Sequence, residues 1–250
     1  MEREICFKYG SREKGWKYYR ILLKLSGEVL GGDKGAGIDE KAMAVYAGQI
    51  ASVVKSGVQV AVVVGGGNIF RGLSGVGRGF DRVKGDQMGM LATVINSIGM
   101  VLALKDAGVK AECFTSVPME PLAKYYMRDD ADRFLAEGGV AVIAGGTGNP
   151  FFTTDSAASL RACELRCDAL FKGTKVDGVY DSDPKKNPGA VRYEAVSYDK
   201  VISDGLKVMD LTAFAMCKEN DMPVVVFDVT SEGNLEKVVA GTGRCTTVGN

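Results

Sequence analysis

The stretch "VQVAVVVGGG" (58–67) decides how the chain is read. Valine dominates it, no polar alternation interrupts it, and it runs straight into three glycines. A β-branched run of this kind is a strand covered on both faces. Just before it, "IDEKAMAVYAGQIASVVKSG" (38–57) carries apolar residues at helical spacing, with Asp39 placed to cap and Gly57 to stop. Earlier still, "RILLKLSG" (20–27) is another short apolar run ending in glycine. Strand, helix and strand in this order describe a βαβ unit.

The same alternation extends outward. It predicts a helix over 86–107, a strand "AECFTSV" (111–117), a helix over 121–137 and a strand "VAVIAGG" (140–146). A helix from 154, a strand "ALFKGTKV" (169–176), a polar excursion (180–189) and a short strand near 191–197 come next. Helices over 198–204 and 210–221, a strand "PVVVFDV" (223–229), a short helix and a terminal β segment close the chain. The expected fold class is α/β: a three-layer α/β/α sandwich around a mainly parallel sheet. Residues 20–250 read as a single domain, and residues 1–19 as an N-terminal extension.

The 250 residues are 46% hydrophobic and 25% charged, enough apolar material for a substantial core. Their 31 basic and 31 acidic side chains cancel, so charge gives no reason to wrap nucleic acid or coat a membrane. No apolar run reaches the roughly 18 to 20 residues of a membrane span, and residues 1–20 lack the apolar segment of a secretion signal. A cytoplasmic protein is expected, with Cys6, Cys113, Cys163, Cys167, Cys217 and Cys245 as reduced, mostly buried thiols. The chain has no histidine. That excludes a Ser-His-Asp triad, a Cys-His dyad and a Cys/His zinc site. Its chemistry must run on Lys, Arg, Asp, hydroxyls, backbone amides and any metal they recruit.

Ligands of open α/β sheets gather outside the carboxyl ends of the strands. Four such ends are unusual here: "KLSG" (24–27), "GGGNIFRG" (65–72), "GGTGNPFFTTD" (145–155) and "KGTKVDGVYDSDP" (172–184). Glycines let backbone N–H groups approach a phosphate closely. Lys24 ends an apolar strand with no partner visible in the sequence, and burying an unpaired ammonium is expensive. Arg71 offers a planar fork suited to phosphate oxygens. Thr153, Thr154 and Asp155 gather at a helix mouth, where an anion is favoured. Taken singly, each feature has a bland reading: tight turns, a solvated arginine, and Asp86 in "GDQMG" (85–89) as an ordinary cap. Their convergence favours a phosphate site. It is neither a Walker A loop, since no Gly-Lys dipeptide occurs, nor a Rossmann turn, which "KLSGEVLGG" does not fit.

Together "RILLKLSGE", "VVVGGGNIFRG", "GDQMGMLATVIN", "GTGNPFFTTDSAA", "KGTKVDGVYDSDP" and "LKVMDLTAF" resemble the bacterial uridylate (UMP) kinases of the amino acid kinase superfamily. The likeness runs in unbroken order from about residue 19 to 240. It implies an amino acid kinase-like fold and transfer of the ATP γ-phosphate to UMP, giving UDP and ADP, with Mg²⁺. By the resemblance, Lys24, Leu25, Ser26, Gly27 and Gly67 face the ATP phosphates, with Arg71 nearby. Thr174, Tyr180 and Asp183 bound the adenine nucleotide. Gly66, Asp86, Thr147, Gly148, Asn149, Pro150, Phe151, Phe152, Thr153 and Thr154 hold UMP, Asp86 through the ribose hydroxyls. Asp155 and Asp210 organise lysine and metal at the transfer point, with Lys172 as a second cation. The direct metal ligands are not assigned.

The family further implies a homohexamer activated by GTP and inhibited by UTP. Its GTP-responsive segment falls on Gly32, Asp33, Lys34, Gly35, Ala36 and Gly37, in a loop (31–37) expected to lie away from the cleft. Small departures exist: a longer extension, Gly173 where alanine is expected, and Gln87 at a variable place. Superfamily relatives that phosphorylate carboxylates, carbamate or isopentenyl phosphate fit less well. The last of these use a histidine that this chain lacks. A different class remains open: a non-catalytic uridine-nucleotide sensor or an oxoanion-binding protein of the same fold.

Overall fold

The computed structural model describes residues 16–70, 81–206 and 208–250. The elements begin with β1 (Arg20–Leu25), one turn of helix α1 (Gly27–Leu30), a 3₁₀ turn (Gly32–Lys34), α2 (Glu40–Lys55) and β2 (Gln59–Val64). Next are α3 (Arg82–Asp106), β3 (Ala111–Thr115), β4 (Lys124–Tyr125), α4 (Arg128–Ala136), β5 (Val140–Ala144) and α5 (Thr154–Glu164). The chain ends with β6 (Ala169–Thr174), β7 (Ala195–Ser197), α6 (Tyr198–Ser203), α7 (Leu211–Glu219), β8 (Val224–Asp228), α8 (Asn234–Val239) and β9 (Cys245–Gly249).

Among the described residues the strands form a nine-stranded sheet in the order β4-β3-β5-β2-β1-β6-β8-β9-β7. Every neighbouring pair is parallel except β8 with β9. Strand alternation feeds two separate cores. Ile21, Leu23 and Leu25 join Ile50 of α2, Leu104 of α3 and Val239 of α8 on one face. Leu22 and Leu170 join Leu135 of α4, Ala158 of α5, Tyr198 of α6 and Phe214 of α7 on the other. Helices on both faces and a mostly parallel sheet make the expected three-layer α/β/α sandwich.

Local chemistry explains the boundaries. Asp39 caps α2 by accepting from the Ala42 N–H at 2.9 Å, as expected. Tyr18, on the extension side of residue 20, is buried and meets the Phe171 ring edge-on at 5.1 Å. Two boundaries differ from expectation. The helix placed at 121–137 starts only at Arg128. Residues 124–125 instead pair with β3, and the Tyr126 N–H donates to the Thr115 carbonyl at 2.9 Å. Adjacent tyrosines suit an extended edge better than a helix start. The helix placed at 86–107 begins four residues earlier, because Asp81 caps it by accepting from the Lys84 N–H at 3.0 Å. Asp86 is therefore not a cap. It lies within α3, and its carboxylate is available for other work.

By length and hydropathy α3 is long and apolar enough to cross a membrane, contrary to the expectation that no segment is. Its Thr93, Asn96 and Ser97 are nevertheless buried, and its Val94, Met100 and Leu104 pack in the core. It is a core helix with an outer apolar stripe, in which Leu91, Ile95 and Leu102 are exposed.

Candidate active site

Strand parity places the key cations. Lys24 follows Leu22, and Lys172 follows Leu170, toward the face covered by α5. The β1–β6 register sets the two lysines directly opposite one another. Like charges in that position repel. Asp155, in the first turn of α5, answers both: its Oδ1 is 2.8 Å from Lys24 Nζ and its Oδ2 is 2.6 Å from Lys172 Nζ. Lys24 thus has the structural partner that its sequence context hides. The three side chains are only 11%, 14% and 14% exposed. Lys172 Nζ also donates to the Val208 carbonyl at 2.6 Å.

Burial opposes ionisation of Asp155, but the charges of Lys24 and Lys172 outweigh it and hold the carboxyl below its ordinary range. Burial also lowers the Lys172 ammonium, against the pull of Asp155 and with the help of Lys24. One carboxylate is shared by two ammonium groups, and Asp210 adds a second negative charge that acts on Lys172.

Asp210 works differently from Asp155. It caps α7 by accepting from the Ala213 N–H at 2.9 Å. It also accepts a short hydrogen bond from the Thr153 hydroxyl and one from the Ser156 hydroxyl at 3.2 Å. Thr153 in turn caps α5, accepting from the Asp155 and Ser156 N–H groups at 3.1 and 3.2 Å. Asp210 therefore ties the mouths of α5 and α7 together.

Beside this junction lies a cavity of about 140 Å³. Its walls are Gly66 and Gly67, α3 from Gly85 to Thr93, and the loop after β5, including Thr147, Asn149, Phe152, Thr153 and Thr154. The turn after β2 packs tightly on α3: a Cβ at Gly66 would stand 2.7 Å from that of Ala92, so only glycine fits. Asp86 also faces the cavity. Its Oδ2 accepts from the Phe151 N–H and from Arg82 Nε, each at 2.8 Å. Phe151 has φ 71°, an uncommon conformation for a non-glycine residue, and its exposed ring lies 5.4 Å from the Arg82 guanidinium. Gly148 and Pro150 turn away to a second, mostly apolar cavity of about 270 Å³ with Gln87, Leu91, Val117 and Met119. The run 147–154 is thus split between two cavities and the surface.

On the other side of Lys24, Thr174 ends β6, and its hydroxyl bonds the Val176 main chain at 2.6 and 3.0 Å. The Tyr180 hydroxyl donates to Asp177 at 2.6 Å, and Asp177 pairs with Arg244. Asp183 Oδ1 accepts from the Lys185 N–H at 3.0 Å. Leu25 is fully buried, and Ser26 caps α1, accepting from the Glu28 N–H at 3.3 Å. A Cβ on Gly27 would come within 2.6 Å of the Gly65 carbonyl, so the turns 26–27 and 65–67 abut. Arg71 lies outside the described residues.

The loop 31–37 is tied to the turn after β2, contrary to the expectation that it lies away from the cleft. The Gly37 N–H donates to the Asn68 carbonyl at 2.9 Å, and Asn68 Nδ2 returns a bond to the Gly37 carbonyl at 2.6 Å. Sequence reading also missed Arg82, Met90 and Thr93. Thr93 Oγ1 receives the Gly145 N–H at 2.9 Å and so fixes the start of the loop after β5. The quoted motif "GDQMGMLATVIN" contains Met90 and Thr93, but a helical residue shows its facing partner only in three dimensions.

Glycine turns and paired lysines at the strand ends of a three-layer α/β/α sandwich put this chain among α/β proteins whose ligands gather at that edge of the sheet. The chain matches the amino acid kinase family over residues 19–228, and it belongs to that family. It is 56% identical to a uridylate kinase of Bacteroides thetaiotaomicron over 94% of this chain and 99% of that protein. It is 50% identical to a uridylate kinase of Zymomonas mobilis over 94% and 97% of the two chains. The crystal structure of a UMP kinase from Bacillus anthracis superposes with a TM-score of 0.89 at 35% identity, covering 93% of this chain and 96% of that one.

Proposed function

We infer that the chain transfers the γ-phosphate of ATP to UMP, forming UDP and ADP. One observation carries this reading: the Lys24–Asp155–Lys172 junction adjoins a cavity walled by Gly66, Asp86 and Thr154. Relatives named uridylate kinase, matched over nearly the whole chain, support the substrate. A phosphate oxygen of UMP attacks the γ-phosphorus as the bond to the β-phosphate oxygen breaks, and ADP departs with the electron pair. The second ionisation of a phosphate monoester lies near about pH 6, so the nucleophile is already a dianion at neutral pH and needs no base. The remaining work is positioning and charge stabilisation. In this reading Lys24 and Lys172 stabilise the migrating phosphoryl group, and Asp155 keeps their ammonium groups aimed at it.

UMP occupies the cavity, with its ribose hydroxyls at Asp86 and its phosphate toward Thr154. The ATP phosphates lie along Ser26, Gly27 and Gly67, and the adenine nucleotide is bounded by Thr174, Tyr180 and Asp183. Among the described residues no three acidic or cysteine side chains converge to hold a metal. Mg²⁺ would enter with the nucleotide phosphates and offset their charge, and Asp155 and Asp210 would be the carboxylates that help hold it.

The proposal extends to a cytoplasmic homohexamer, activated by GTP through Gly32–Gly37 and inhibited by UTP. The exposed apolar stripe of α3 is the feature that favours assembly. A coupled assay of ADP formation with ATP and UMP tests the reaction. Nucleotide binding without ADP release would instead identify a uridine-nucleotide sensor.

A further inference from the structure

Asparagine is a poor helix former, yet Asn96 stands mid-way along α3. It and Asn68 are buried, at 0% and 6% exposure. Burying amides is unfavourable unless their polar atoms are matched, and here they are. Asn96 Nδ2 donates to the Gly65 carbonyl at 2.8 Å and to Asn68 Oδ1 at 2.7 Å. Asn68 Nδ2 donates to Asn96 Oδ1 at 3.1 Å and to the Gly37 carbonyl at 2.6 Å. The Asn68 carbonyl accepts from the Gly37 N–H at 2.9 Å.

These bonds join pieces that are distant in sequence. Gly65 begins the turn that carries Gly66 and Gly67. Gly27 packs on the same spot, where a Cβ would collide with Asn68 Oδ1. Gly37 closes the loop 31–37. Asn96 rides on the helix that also presents Asp86 and Thr93 to the cavity. An apolar pair of similar size would fill the space, but it would not hold carbonyls from two other segments in register.

We propose that Asn68 and Asn96 are positioning residues, a reciprocal amide pair that sets the spacing between the phosphate-facing glycine turns and the acceptor helix. The pair also makes that spacing depend on the loop 31–37. This rests on the reaction proposed above. Misalignment of the two nucleotides should appear in turnover more than in UMP binding, because Asp86, Thr153 and Thr154 are untouched.

The test compares the parent chain with Asn96→Ala, Asn68→Ala, the milder Asn68→Ser and the double alanine variant. Turnover of ATP and UMP is measured per folded molecule, alongside amide hydrogen exchange at Gly37 and Asp39. We expect kcat to fall about 10- to 100-fold, with KM for UMP moving less than about threefold. The double variant should lose more than the worse single but less than the two losses multiplied, because either change breaks both amide–amide bonds while the Gly65 and Gly37 bonds are each lost to one change. Gly37 and Asp39 should exchange faster in Asn96→Ala, although Asn96 itself does not bond that loop.

A lower Tm with unchanged kcat would overturn the proposal and make the pair ordinary core. So would unchanged exchange at Gly37 in a folded Asn96→Ala. If the alanine variants do not fold, Asn68→Ser decides by the same two readouts. A parent chain that makes no ADP from UMP would refute the reaction, while the exchange measurement still judges the amide pair.

Discussion

The cavity proposed for the acceptor and the strip proposed for the donor are assembled by different means. The cavity is made of side chains that meet across long stretches of chain: Asp86 with Phe151, Thr93 with Gly145, Asn96 with Gly65. The donor strip after β6 closes mostly on itself, through Thr174 with Val176, Tyr180 with Asp177, and Asp183 with Lys185. Its described side-chain ties to residues 244–246 are Arg244 with Asp177, Arg192 with the Cys245 carbonyl and Thr246 with the Val179 N–H and Tyr193 carbonyl. A change in the cavity should therefore propagate, and a change in the strip should stay local.

Lys24→Ala tests the hinge of this comparison and should have the largest effect. Removing a preorganised cation from the transition state costs about 10²-fold or more in kcat. Near-normal turnover in a folded variant would remove Lys24 from the chemistry. The same variant relieves Lys172 of a like-charged neighbour, so Lys172→Ala is the informative companion.

Asp86→Ala should narrow the UMP to dUMP ratio of kcat/KM on the order of tenfold, since the carboxylate no longer distinguishes a ribose hydroxyl. It should also free the Phe151 N–H that Asp86 now receives. Asp86→Asn keeps an acceptor for that N–H and separates the two roles. A ratio unchanged in both variants would leave Asp86 as an anchor of Phe151 alone.

The acid limb of kcat/KM for UMP should follow the substrate, falling about tenfold per unit below a pKa near 6. An analogue whose phosphate titrates lower should move the limb down by a similar amount. Asp155 cannot imitate this limb. Its folded carboxyl lies below the ordinary range, so the stability it contributes is complete above about pH 4 and lost only as pH falls through the folded value. Tm should accordingly show no step from Asp155 between pH 5 and 7. A limb that ignores the substrate's pKa would point to a protein group.

Tyr180→Phe should be the mildest change. The hydroxyl it removes donates to Asp177, beside Arg244, and a net loss of ~1 kcal/mol raises KM for ATP by about fivefold or less. A larger effect, or one on UMP, would break the contrast between a propagating half and a local half.

Much of the frame was legible because it depends on short-range pattern. Unbroken valine runs marked buried strands, Asp39 and Gly57 marked the ends of α2, and the glycine turns marked the strand ends where the site stands. The misread helix at 121–137 shows the limit: residues 124–125 take their conformation from pairing with β3, not from their own preference.

Within the site, residue types and their order along the chain already named the cations, the hydroxyls and the absence of histidine. Partner choice belonged to the tertiary structure. Asp155 bridges two lysines because the β1–β6 register sets them opposite one another beneath the mouth of α5. Asp86 reaches Phe151 because Asp81 has already taken the cap of α3. Asn68 and Asn96 match each other because α3 crosses behind the turn after β2. Local propensities act over a few residues, whereas these contacts come from register and packing between segments far apart in the chain, which no single stretch of sequence encodes.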